Sequence, residues 1–111
     1  MKVAFEEIGH LSATFALANG EPGKVCKMSA SGTVTQCGDG DTFCGVIETA
    51  RNGIAGVQLH GFAELPYTGS APAVGFTNLQ ADAAGGIKAA GTHAYLVVSV
   101  DTVHKTAMIE L

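Results

Sequence analysis

Residues 43–65 read FCGVIETARNGIAGVQLHGFAEL, and their pattern decides the fold class. Arg51-Asn52-Gly53 separates two β-prone arms, and Asn followed by Gly supplies the two positive φ values that a type I′ hairpin turn needs. The first arm, Phe43–Ala50, offers Phe43, Val46 and Ile47 to a core, with Gly45 marking a bulge or the close approach of a neighbouring strand. The second arm, Ile54–Leu65, alternates. Val57, Leu59, Gly61 and Ala63 share one parity, while Gln58, His60, Phe62 and Glu64 share the other, so one face is apolar and one polar, with Phe62 the aromatic exception. Glycines at 45, 56 and 61 let such a hairpin bend round a small barrel more readily than lie in a flat sheet.

Strand signals continue on both sides of this hairpin. Lys24–Ala30 and Thr33–Cys37 read as a second hairpin about Ser31-Gly32, with Val25 and Met28 near a core. Counting outward from Ala30 opposite Thr33 sets Cys26 opposite Cys37. Gly38–Asp41 is a tight polar turn. After Leu65, PYTGSAPAVG is expected to be a wide loop. Phe76–Ala81, a turn at Asp82–Gly86 and Ile87–Ala90 form a short meander with Leu79 and Ile87 inward. Ala94–Val100 is the most β-prone piece of the chain and is expected to pair with Thr106–Leu111 across a turn at Asp101–Lys105. Near the start, Phe5, Ile8 and Leu11 approximate helical spacing whereas Ala13, Phe15 and Leu17 alternate. Strand is expected from Ser12 onward, and residues 1–14 as an N-terminal arm. The expected fold is all-β: one small domain over residues 1–111, a β barrel or sandwich of short antiparallel strands with glycine-rich turns.

Composition bounds the function. A chain of 111 residues is too short for a multi-domain enzyme, and with 47% hydrophobic and 14% charged residues it is too apolar to stay unfolded. A net charge of −4 argues against gripping phosphate backbones, so no nucleic-acid partner is expected. Glu6, Glu7 and His10 interrupt the apolar run that a signal peptide needs, and export by that route is not expected. The uncharged stretches Leu65–Ala81 and Ala89–Val100 are broken by Pro and Gly or too short to span a bilayer as a helix, so a soluble protein with no membrane partner is expected. Three cysteines, an odd number, fit a reducing compartment and buried thiols better than a disulfide scaffold. Residues 1–48 carry nine charged side chains and the longer remainder only seven, so the second part is charge-poor, as it would be if subunit association covered it.

No motif points to catalysis. Cys26, Cys37 and Cys44 lie eleven and seven residues apart, without the paired spacing of structural zinc ligands, and no metal is expected. There is no G-x-S-x-G elbow and no P-loop, since Gly23-Lys24 is followed by Val25. His10, His60, His93 and His104 read as surface or strand-face residues. Asp39 and Asp41 lack the other ligands and closing Glu of a calcium loop and read as an acidic turn. Neither an enzyme nor a cofactor is expected.

Taken in order, PGKVCKMSASGTVT, FCGVIETARNGIAGVQLHGFAELPYTG, APAVGFTNLQADAAGGIKAA, AYLVVSVD and TAMIEL resemble the small phage and prophage capsid decoration, or cement, proteins. These include a capsid-associated family often mislabelled as a recombinase. The resemblance covers Phe15–Leu111. Its carriers are Gly45-Val46, the Asn52-Gly53 turn, Val57 and Gly61 before Leu65-Pro66, the Gly69 loop and the Gly85-Gly86 turn. It implies a virion structural protein on the outside of the phage head, assembled in the bacterial host cytoplasm. Its partners would be the major capsid protein and itself, as a homotrimer at local three-fold positions that stabilises the expanded shell. The expected subunit or capsid interface is the uncharged Pro66–Phe76 loop, with Pro66, Tyr67, Pro72 and Phe76, together with Phe62. The competing expectations are a non-viral oligomeric β-barrel scaffold and a small ligand-binding module.

Overall fold

The computed structural model describes residues 10–111. Eleven strands follow one another: β1 Leu11–Asn19, β2 Val25–Ala30, β3 Thr33–Gln36, β4 Gly45–Arg51, β5 Ile54–His60, β6 Phe62–Thr68, β7 Gly75–Asn78, β8 Gln80–Ala81, β9 Ile87–Lys88, β10 Ala94–Asp101 and β11 Thr106–Glu110. No helix occurs among the described residues. The first five strands close a barrel in the order β1-β3-β2-β4-β5, and the other six form a curled sheet ordered β7-β10-β11-β6-β9-β8. Of the expected arm, residues 1–9 lie outside the described residues, and Leu11–Thr14 belong to β1, paired with β5. Not every ladder is antiparallel: β1 runs parallel to β3, and β6 to β9.

The barrel interior is filled by Cys26, Val34, Ile47, Ala55 and Val57. A second core lies between the outside of the barrel and the inner face of the sheet. There Val25, Phe43 and Val46 meet Leu65, Tyr95 and Ile109. Because this second core draws on both sheets, barrel and sheet form one unit. Asn52 and Gly53 both have positive φ, 52° and 73°, as the β4–β5 hairpin requires. A Cβ at Gly45 would lie 2.5 Å from the Gln58 carbonyl oxygen, so its glycine marks the close approach of β4 to β5.

Three expectations are corrected. The return arm Ile54–Leu65 is two strands, broken at Gly61, whose φ of +103° turns the chain out of the barrel. The buried Gln58 amide spans the break, donating to the carbonyls of His60 (3.3 Å) and Phe62 (3.0 Å). Next, the wide loop begins only at Gly69, because β6 runs on through Pro66 and Tyr67. Leu111 N–H to Gly61 and Tyr67 N–H to Lys105 place the odd-numbered β6 residues at the hydrogen-bonded positions facing β11. Pro66 falls between them, where that ladder asks no N–H of it. Finally, β2 and β3 keep Ala30 opposite Thr33 but bulge between Met28 and Ala30, so Cys26 stands opposite Gln36 and not Cys37. A one-residue slip reverses the faces. Cys37 goes to the core between the sheets, Cys26 to the barrel interior, and Met28 is 46% exposed.

Candidate functional site

The sheet alternates cleanly. Along β6, β10 and β11 the inward residues Leu65, Tyr67, Tyr95, Val97 and Ile109 are buried against the barrel. Residues of the opposite parity form the outer face, which in a half-solvated antiparallel sheet is ordinarily polar. Here register sets Phe76 beside Leu96, Leu96 beside Glu110 and Glu110 beside Phe62, a single row across β7, β10, β11 and β6. The same face pairs Met108 with Glu64 and Thr106 with Pro66. Phe76 is 79% exposed, Pro66 is exposed, and Phe62, Leu96 and Met108 are half-buried. Among the described residues the row ends on β7, which is paired there on one side only, and Val74 just before that strand is 68% exposed. An open edge and an apolar face thus meet at Phe76.

Of the five residues expected at an interface, Phe62, Pro66 and Phe76 share this face. Tyr67 does not: it is 5% exposed, carried inward by the parity of β6, and Pro72 is also buried. Neither side chain is open to a partner. Leu96 and Met108 complete the face but were not singled out in the sequence. Their alternation in AYLVVSV and TAMIEL contains the signal, once Tyr95 and Ile109 are known to point inward.

A second concavity, a cleft of about 600 Å³, opens where barrel and sheet part, lined among others by Met28, Cys44, Leu59, His60, His93 and Tyr95. A groove of about 220 Å³, which shares His93, Tyr95 and Leu111 with it, leads on to Phe76. The Tyr95 ring stacks on Phe43 at 4.4 Å, and the His93 ring is tilted 57° against Tyr95 at 4.7 Å. Cys44 is exposed, and its thiol is in hydrogen-bond contact with buried Cys26. Accepting that bond holds Cys44 down to about 7 against the opposing effect of burial, while donating it pushes Cys26 far up. Burial raises Cys37 to about 12. His60 sits 3.5 Å from the Leu111 carbonyl.

No family model, curated protein or solved structure matches the chain. Three aspartates fasten turns. Asp41 takes an ion pair from Lys27 at 2.7 Å and the Gly38 N–H at 2.8 Å, which hold its carboxyl below the usual carboxylate range. Asp39 pairs with Lys88 at 2.7 Å and ties the acidic turn to β9. Buried Asp82 accepts the N–H groups of Ala84 and Gly86, each at 2.8 Å, and the Thr68 hydroxyl at 3.2 Å, closing the turn that brings β9 beside β6. All four histidines are exposed. Among the described residues no three His, Cys, Asp or Glu side chains gather into a group that could hold a metal ion.

Proposed function

We propose that this protein is a virion structural protein: a capsid decoration, or cement, protein that binds the outside of a phage head and stabilises the shell as homotrimers. The observation that carries the reading is the cluster of Phe76, Leu96, Phe62, Met108 and Pro66 on the outer face of the sheet, with Glu110 and Glu64 among them, joined to a strand edge that is open among the described residues. A surface of that kind suits repeated contact with other protein subunits. The uncharged segment Leu65–Ala81 supplies both β7 and the loop before it, so that segment brings no charge to be desolvated, and the charges on the face are Glu110 and Glu64. Many copies, each with modest contacts to several shell subunits, gain avidity without one tight site. The family resemblance of the sequence adds the major capsid protein as the partner and the virion surface as the location.

Co-sedimentation with immature and expanded heads, with bound copies counted by quantitative mass spectrometry, tests this. The proposal expects saturable binding to expanded heads at a copy number matching their three-fold positions, and reduced binding of Phe76→Ser, whose side chain the fold does not need. Failure to bind either head form overturns it. The cleft of about 600 Å³ favours one second reading, a module for a small apolar ligand. A co-purifying small molecule in native mass spectra, lost on Leu59→Asp substitution, would support that reading instead.

A further inference from the structure

Two of the three thiols are placed for a bond that the sequence does not suggest. The Cys44 N–H donates to the Cys26 carbonyl at 2.9 Å, and the next residue, Gly45, is the ladder partner of Cys26. The direct backbone bond between the two residues brings their Cα atoms within the ~4.4–6.8 Å that a disulfide spans. Cys44 and Gly45 are both set against Cys26, as two residues are across a bulge, which brings the two thiols close enough to interact. Cys44 opens on the cleft, Cys26 is wholly buried behind it, and Cys37 is held in the other core. One sulfur is therefore reachable from solvent, and the second is reachable only through the first.

We propose that Cys26 and Cys44 form a reversible disulfide when the protein meets an oxidising low-molecular-weight disulfide such as oxidised glutathione. Cys44 gives its proton to solvent, and its thiolate attacks one glutathione sulfur, forming a mixed disulfide and breaking the glutathione S–S bond; the expelled glutathione thiolate takes up a proton from solvent. Cys26 Sγ then attacks Cys44 Sγ, the mixed disulfide breaks, and the second glutathione leaves with the Cys26 proton. Two protein thiols are oxidised by two electrons and one glutathione disulfide is reduced to two glutathiones. A depressed thiol at the cleft suits the entry role, because the thiolate is the nucleophile. The new bond closes a loop from Cys26 to Cys44 that contains β3 and the Gly38–Asp41 turn, and it fastens β2 to the entrance of β4. A protein assembled under reducing conditions and then released to oxidising ones would be locked after folding.

The test equilibrates the full chain in glutathione buffers of graded reduced-to-oxidised ratio, quenches with acid, alkylates and maps peptides without reduction. The expected result is a Cys26–Cys44 peptide pair that grows with oxidation and vanishes with reductant, accompanied by a rise in the unfolding midpoint on the order of 10 °C. Cys37→Ala keeps both the link and the rise. Cys44→Ser changes an exposed side chain, folds as the reduced protein does, and loses both. A lasting glutathione adduct on Cys44 with Cys26 unlinked, a Cys26–Cys37 link, or no cross-link at any ratio overturns the proposal.

Discussion

The Tyr95 hydroxyl donates to the Phe43 carbonyl at 2.5 Å while the two rings stack, 7° from parallel. Phe43 enters β4 of the barrel and Tyr95 lies on β10 of the sheet, so one side chain gives the junction both a polar and an apolar tie. Burial raises the Tyr95 hydroxyl to about 12, which keeps it a donor at any ordinary pH. Tyr95→Phe retains the stack and leaves the Phe43 carbonyl without that donor. The expected cost is about 1–3 kcal/mol of unfolding free energy, read by urea denaturation. An unchanged midpoint would mean that the bond does not tie the halves together.

Gly45 sits where β4 and β5 touch. A methyl there meets the Gln58 carbonyl oxygen at 2.5 Å and Val57 Cγ1 at 2.8 Å, neither of which can swing away. Gly45→Ala should destabilise by about 2 kcal/mol or more through overpacking, whereas Ser29→Ala on the exposed face of β2 should change little. Thermal unfolding of the two variants side by side distinguishes a close approach from a general intolerance of substitution.

Asp82 is buried and serves two N–H groups and one hydroxyl. Asp82→Ala strands the buried Gly86 N–H and should cost about 2–3 kcal/mol. The Gly86 amide should also exchange hydrogen faster relative to the barrel amides, measured by NMR. Equal protection in both proteins would show that the turn holds without its carboxylate.

Cys44, depressed to about 7, should alkylate with iodoacetamide at a rate that climbs as pH rises through 7 and levels off above it, since only the thiolate reacts. Below that midpoint the thiol is protonated and the rate falls tenfold per pH unit. Cys37, raised by burial to about 12, and Cys26 should stay unmodified over the same range while the protein is folded. A Cys44 midpoint at the ordinary value near 8.5 would show that the Cys26 contact does not act on it.

Local chemistry alone determined much of this protein. The Asn52-Gly53 turn, the inward positions of Val25, Ile47, Leu79 and Ile87, the closing pair of strands and the all-β class all follow from side-chain period, β-propensity and positive-φ residues, which act over a few neighbours. What tertiary structure decided was register and strand continuity. Period-2 patterning cannot say where one extra residue enters a ladder, so the bulge in β2 moved Cys26 from Cys37 to the company of Cys44. Nor does a proline announce whether its missing N–H faces a partner, so β6 ran through Pro66 and drew Tyr67 into the core. Phe62 and Phe76 came onto one row only because β10 and β11 lie between them in a set register, a relation among four strands that no single stretch of sequence contains.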